Sequence, residues 1–182
     1  MSQNSRMSNM GFRGLALWLK LRESSLDTQK RLEDAGVSPG QVVLDYGCGI
    51  GSYAIPAARM VGDGGMVFAL DIHPLAIESV KRRVEKEHLT NVKTICSGLD
   101  TGLADSSVDT VLLYDVLHSV PDQQALLQEL HRVLKPGGRL SILPDHMSGD
   151  ELLSVVKGRD LFNMQAQHGA AFEFLRSAAG GS

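Results

Sequence analysis

Residues 42–51 read Val-Val-Leu-Asp-Tyr-Gly-Cys-Gly-Ile-Gly, and the junction inside this stretch decides the fold. Its first half is an apolar run without the polar alternation of a half-exposed strand, as expected for a strand covered on both faces. Its second half places glycines at 47, 49 and 51, which permit a tight turn and let a ligand approach the backbone closely. Segment 52–61 then reads as a helix, so the loop lies at a strand-to-helix junction where the first helical amides face an anionic group. Pro56 falls within that helix and removes a donor, so the helix either kinks there or starts late enough to tolerate it.

Outward from this junction, Val-, Ile- and Leu-rich runs recur at 66–70, 92–96, 110–114 and 139–143. Helical patterns separate them. Segment 74–88 carries Ile77, Val80 and Val84 on one face and Lys81, Arg82, Glu85 and Lys86 elsewhere, with Pro74 at its first position. Asp122 can cap a second helix whose apolar stripe is Leu126, Leu130, Val133 and Leu134, and Pro136-Gly137-Gly138 ends it. This alternation predicts parallel strands joined by crossover helices, an α/β Rossmann-like three-layer sandwich. After a helix at 151–156, two alternating runs at 162–167 and 171–176 flank His168, Gly169 and Ala170, a hairpin that would close the edge of a mostly parallel seven-stranded sheet. Segments 15–21 and 26–35 look helical, which suggests an N-terminal helical arm or cap at 1–36 and a ligand-binding domain at 37–182.

The chain has 182 residues, 43% of them hydrophobic and 21% charged, enough apolar surface for one core and against disorder. Eighteen Lys and Arg against 21 Asp and Glu leave a net charge of −3, no broad field for a phosphate backbone, so nucleic acid is not expected as a partner. Cys48 and Cys96 lie far apart in strand-like stretches, which argues for inert core thiols in a reducing cytoplasm rather than a disulfide framework. No apolar run approaches the length of a membrane span, and residues 1–10 are polar rather than signal-like.

The glycine loop departs from the dinucleotide pattern G-x-G-x-x-G, because its third glycine arrives one residue early and Asp45 precedes the first. An acid beside a pyrophosphate is repulsive, whereas beside an ammonium or sulfonium it is attractive, which favours S-adenosylmethionine over NAD. Asp71 ends the second run 20 residues after Gly51 (71 − 51 = 20), close to the spacing of an acid that accepts ribose hydroxyls. Its competing reading is a cap for the helix at Pro74.

These stretches, with "VFALDIHP" (67–74), "SSVDTVLLYDVLHSVPD" (106–122) and "LHRVLKPGGRLSI" (130–142), resemble the class I S-adenosylmethionine-dependent methyltransferases, nearest to the ubiquinone/menaquinone C-methyltransferase-like group. The resemblance spans 41–143. It implies that Asp45, Gly47, Gly49 and Gly51, with Tyr46 in the same loop, hold the methionine portion of S-adenosylmethionine. It further implies that Asp71 binds the ribose and that Ile72 lies along the adenine. Where the family ends its third strand in Gly-Asp, this chain has Ser97-Gly98-Leu99, so Ser97 or a backbone amide supplies the adenine contact. Tyr114 and Asp115 follow the fourth strand, where the family passes the methionine moiety and the reactive methyl.

Methyl transfer from a sulfonium is an in-line displacement that needs alignment and a water-poor pocket more than a covalent residue. If the acceptor must lose a proton, His118 is the first candidate base and His146 the second, with Asp145 beside it. The spacing of these histidines and the nearby acid matches no metal-ligand motif, and no metal is expected. The acceptor is expected to be a small molecule, because no long insertions separate the strands. A noncatalytic S-adenosylmethionine-binding or scaffold subunit requiring a partner chain is the competing reading, motivated by Trp18 amid leucines at 12–21, which also suggests a homodimer through the N-terminal helix. A dehydrogenase is the weaker enzyme alternative.

Overall fold

The structure is a computed structural model that describes residues 25–144 and 146–178. Helix α1 (Ser25–Asp34) precedes β1 (Val42–Tyr46), α2 (Ala54–Val61), β2 (Met66–Asp71), α3 (Pro74–Lys86), β3 (Val92–Cys96) and β4 (Val108–Tyr114). A short 3₁₀ turn (Leu117–Ser119) leads to α4 (Gln123–Val133), β5 (Leu134–Leu143), α5 (Gly149–Lys157), β6 (Phe162–His168) and β7 (Ala171–Arg176). The apolar segment containing Trp18, and the dimer contact expected of it, lie outside the described residues, as does Asp145. No helix among the described residues is long and apolar enough to cross a membrane.

Local chemistry sets the helix starts. Pro74 occupies the first turn of α3, and the His73 Nδ1 caps it by accepting the Leu75 amide at 3.2 Å. The Asp122 Oδ1 accepts the Ala125 amide at 2.9 Å and starts α4, and Ser148 with Glu151 forms a reciprocal capping box on α5. Because α2 begins only at Ala54, Pro56 falls in its first turn, where the missing N–H has no intrahelical partner to lose. Asn91 closes the other end of α2 by donating to the carbonyls of Ala58 and Gly62 at 2.8 and 2.9 Å.

The seven strands run in the order β3-β2-β1-β4-β5-β7-β6. Five are parallel, and the β6–β7 hairpin pairs antiparallel onto β5. Helices α1 to α3 cover one face, where Leu32, Ala57, Val61 and Val80 pack on Val43, Val67 and Leu112. Helices α4 and α5 cover the other, where Leu126, Leu130 and Val156 meet Leu44, Leu113, Phe172 and Phe174. Each fully buried Leu or Phe in these layers contributes roughly 1.5–3 kcal/mol of transfer free energy.

Three expectations change. The run expected at 139–143 begins five residues earlier: Pro136 keeps Lys135 out of helical backbone, so Leu134 turns extended directly after α4 and pairs with Val108 before the register shifts. Strand β3 is an edge strand and is only partly covered, with Lys93 and Cys96 exposed. Cys96 is therefore not a core thiol; Cys48 is buried, but in the glycine loop rather than in a strand.

The parallel strands all end at one edge of the sheet, and the chain order reverses between β1 and β4. In open α/β sheets the crevice at such a switch point is where ligands bind.

Candidate functional site

The glycine loop is fastened to the end of β2 from two directions. The amides of Gly47 and Cys48 both donate to the Leu70 carbonyl, at 2.8 and 2.9 Å. The Asp71 carboxylate accepts the Gly49 amide on Oδ2 at 3.0 Å and the His73 amide on Oδ1 at 2.8 Å. Asp71 is thus not the cap of α3, a role that His73 fills; it clamps the loop while keeping lone pairs for further donors. Burial raises its pKa from the usual carboxylate value, against these backbone hydrogen bonds.

Gly47 is a position at which any side chain is strained. Its φ of +82° disfavours any L side chain, and a Cβ there would stand 2.1 Å from the Val116 Cγ2. Val116 belongs to the segment after β4, so the crevice floor is formed by the backbone of one loop pressed against a side chain from another.

Asp45 is 2% exposed and lies on β1 beneath the start of α2. It accepts the Ala54 amide, but burial outweighs that bond and pushes its pKa to about 7, with the Asp71 charge adding a smaller push. Its Oδ2 has no hydrogen-bond partner among the described residues. The expectation that the α2 amides face an anionic ligand is corrected here. Ala54 binds Asp45, Ile55 and Ala57 bind the carbonyls of Gly51 and Tyr53, and Pro56 has no N–H. The Cys48 thiol is also pushed up, by burial first and then by the charges of Asp45 and Asp71.

The loop after β3 completes this side. The Ser97 amide donates to the Asp71 carbonyl at 3.2 Å, and the buried Tyr46 donates its hydroxyl to the Gly98 carbonyl at 2.9 Å. The Ser97 hydroxyl turns away to the Asp100 carbonyl at 2.6 Å, whereas Leu99 is among the most exposed large apolar side chains described. Asp71, Ile72, Ser97, Gly98 and Leu99 therefore share one corner, with Tyr46 as its wall. A rivet that sequence reasoning missed holds the far end of this loop: Glu129 accepts both the amide and the hydroxyl of Thr101, at 3.0 and 2.6 Å, and pairs with Arg132. The Arg132 hydrogen bonds lower the Glu129 pKa to about 2.

On the β4 side the predicted residues divide. The Tyr114 ring turns into the α1–α3 layer, edge-on to Tyr53 at 4.6 Å, and its hydroxyl donates to the Ser141 Oγ at 2.8 Å. Ser141 in turn donates to the Glu173 Oε1 at 2.7 Å. Burial raises the Tyr114 pKa against the Ser141 hydrogen bond, with the Glu173 charge adding to the rise, and its hydroxyl does not point toward the other predicted residues. Asp115 starts the next loop with φ +56°, a left-handed conformation Asp tolerates better than most residues, and its amide donates to the Leu143 carbonyl at 2.9 Å. The buried Leu117 anchors the 3₁₀ turn, which leaves His118 facing outward. His146 arrives from the loop after β5. The two imidazoles lie 4.7 Å apart between ring centroids at 72°, and the His118 Nδ1 and His146 Nε2 each lie 3.8 Å from the Asp115 Oδ1.

Comparison with known proteins adds the following. The family described as "Methyltransferase domain" matches residues 44–142. A 2-phytyl-1,4-naphtoquinone methyltransferase of Nostoc sp. is 32% identical over 136 residues, covering 74% of this chain and 59% of the relative. A demethylmenaquinone methyltransferase of Geobacillus sp. is 35% identical over 126 residues, covering 69% and 51%. The chain thus spans little more than half the length of these relatives. Among solved structures, a SAM-dependent methyltransferase from Aquifex aeolicus superposes with a TM-score of 0.79 at 23% identity, covering 94% of this chain and 98% of that one.

Proposed function

Because the chain belongs to the methyltransferase domain family, with the fold of the class I S-adenosylmethionine-dependent enzymes, we propose that it transfers a methyl group from S-adenosylmethionine to a small-molecule acceptor. The observation that carries this reading is the buried Asp45 carboxylate, whose Oδ2 lacks a partner under the glycine loop. A buried carboxylate with a partnerless oxygen is stabilised by a cationic ligand, and the amino-acid end of S-adenosylmethionine carries an ammonium and a sulfonium. The residues present fit that group.

When bound, S-adenosylmethionine supplies a methyl group on a sulfonium, a leaving group that needs no further activation. Asp71, already oriented by the Gly49 and His73 amides, accepts the two ribose hydroxyls. Gly47, Gly49 and Gly51 allow backbone approach to the methionine portion, and Asp45 compensates its positive end. Ile72 and Leu99 cover the adenine, which meets the backbone at Ser97 and Gly98, because the Ser97 hydroxyl is engaged elsewhere. The Tyr114 contribution is its backbone and its support of Tyr53. Asp115, His118 and His146 face the acceptor, and the two imidazoles are the groups that activate it. Rigid presentation by strand ends aligns the two substrates, worth several kcal/mol of the barrier in such reactions.

The relatives named above act on naphthoquinones by their names. A quinol or phenol-like ring with an ionisable hydroxyl is accordingly the acceptor class we favour, met in a reducing cytoplasm that keeps both cysteines free. The test is incubation with methyl-labelled S-adenosylmethionine and a demethylated naphthoquinol, then with a metabolite extract, with mass spectrometry of the product. Labelled small-molecule product supports the reading. Label confined to RNA or protein, or no binding of S-adenosylmethionine in calorimetry, overturns it.

A further inference from the structure

Two imidazoles and a carboxylate, carried by the loops after β4 and β5, converge on one point past the strand ends. One ligand atom from each of Asp115, His118 and His146 lies within 4.8 Å of the other two. The Asp115 Oδ1 stands between the rings, 3.8 Å from the His118 Nδ1 and 3.8 Å from the His146 Nε2. Donor atoms bound to one ion at about 2.0–2.2 Å are separated by roughly 3–3.6 Å, so closing the set takes side-chain rotation of about an ångström. Exposure leaves both rings free to make that rotation, with 31% of the His118 side chain and 66% of the His146 side chain accessible. The backbone beneath is fixed: Asp115 is tied to Leu143, and the turn bearing His118 is held by the buried Leu117 and by the Gln123 side chain on its carbonyl at 3.0 Å.

Two imidazole nitrogens and one carboxylate oxygen form the donor set of Zn²⁺, Co²⁺, Mn²⁺ and Fe²⁺ rather than of the oxygen-seeking Mg²⁺ and Ca²⁺.

We propose that Asp115, His118 and His146 form a mononuclear site for a divalent transition-metal ion, with its remaining positions open toward the crevice for an oxygen or nitrogen of the acceptor. A bound cation would lower the pKa of an acceptor hydroxyl toward neutrality, so that the hydroxyl proton is lost to water rather than to a free imidazole. The link to the acceptor rests on the methyl-transfer reading above; the binding of the ion does not.

The experiment uses untagged full-length protein stripped with chelator, titrated with Co²⁺ while the visible d–d absorption is recorded and checked by equilibrium dialysis with Zn²⁺. One ion per chain is expected. His118→Ala and His146→Ala should each weaken binding about tenfold or more and together abolish the absorption, whereas His88→Ala, at the exposed end of α3, should leave it unchanged. Calorimetry with S-adenosylmethionine on the same samples separates the two claims. Retained cofactor binding with no stoichiometric Co²⁺ signal, or a Co²⁺ signal equal in the double variant and the native protein, overturns the metal site and leaves the methyl-transfer reading standing. A stoichiometric, His118- and His146-dependent Co²⁺ signal without cofactor binding upholds the site and overturns the reading it was linked to.

Discussion

Asp45→Asn should make the ligand-free protein more stable at neutral and alkaline pH while weakening its hold on S-adenosylmethionine. The wild-type carboxyl sits at a pKa of about 7 in the folded state because burial penalises its charge. In the unfolded chain it returns to the ordinary aspartate value near 3.9. A raised folded pKa means that the native state binds the proton more tightly than the unfolded state. Its contribution is therefore fully present below about pH 4 and is lost as pH rises through about 7. The whole span, about three units at 1.36 kcal/mol each, is about 4 kcal/mol, and some 2–3 kcal/mol of it falls between about pH 5 and pH 8. Asparagine keeps the acceptor for the Ala54 amide but cannot ionise. Whatever constant offset its NH₂ introduces, the stability difference between variant and wild type should grow by that 2–3 kcal/mol from about pH 5 to pH 8 and then level off. Urea unfolding of both ligand-free proteins at half-unit pH intervals measures it, and S-adenosylmethionine titrations at about pH 7.5 should show at least tenfold weaker binding by the variant. A pH-independent difference would refute the buried, partnerless assignment of Asp45. A pH-dependent difference with unchanged cofactor affinity would keep that assignment and refute its role toward the ligand's cationic end.

Asp71→Ala should weaken S-adenosylmethionine at least tenfold in calorimetry, about 1.4 kcal/mol or more, because it removes both the ribose acceptor and the clamp on Gly49; unchanged affinity in a folded variant would leave Asp71 a purely structural clamp. Gly47→Ala should cost about 1–3 kcal/mol in urea unfolding through its positive φ and the Val116 clash, and adding Val116→Ala should recover only the part due to the clash. Tyr46→Phe, which removes the hydrogen bond to Gly98, should cost about 1 kcal/mol of stability and increase the cofactor dissociation constant. Glu173→Gln should leave cofactor affinity unchanged while its stability gain over wild type grows with pH. The direction follows because burial raises the Glu173 pKa against the Ser141 hydrogen bond and the charges of His168 and Arg139, with Asp34 adding to the rise.

Strands covered on both faces were legible because burial forces largely apolar runs: 42–46 is read to the residue, 66–70 misses only Asp71, and 110–114 misses Val108 and Asp109. Edge position leaves no comparable mark. The run Val92–Cys96 is no less apolar at its end than its neighbours, and only the strand order shows that Cys96 faces outward. Tyr114 shows the matching limit inside a strand. Period two assigns its ring to a face, but whether its hydroxyl serves a ligand or the core depends on Ser141 and Glu173, which reach it from two other strands.

The Asp115, His118 and His146 cluster was harder to read for a related reason. Asp115 and His118 fit a single loop by local spacing, and His146, 28 residues beyond His118 (146 − 118 = 28), matches no ligand motif. Motif spacing, however, describes convergence along one helix or loop, whereas here convergence runs across the sheet. Strands β4 and β5 are parallel neighbours in the register Tyr114↔Leu143, so Asp115 is the first residue past the end of β4, and His146 is the third past the end of β5. Parallel strands advance together at about 3.3 Å per residue with axes about 4.8 Å apart, so the Tyr114↔Leu143 pairing delivers the loops bearing Asp115 and His146 side by side. The pairing order, and not the separation along the chain, is therefore the quantity that reveals a cluster of this kind.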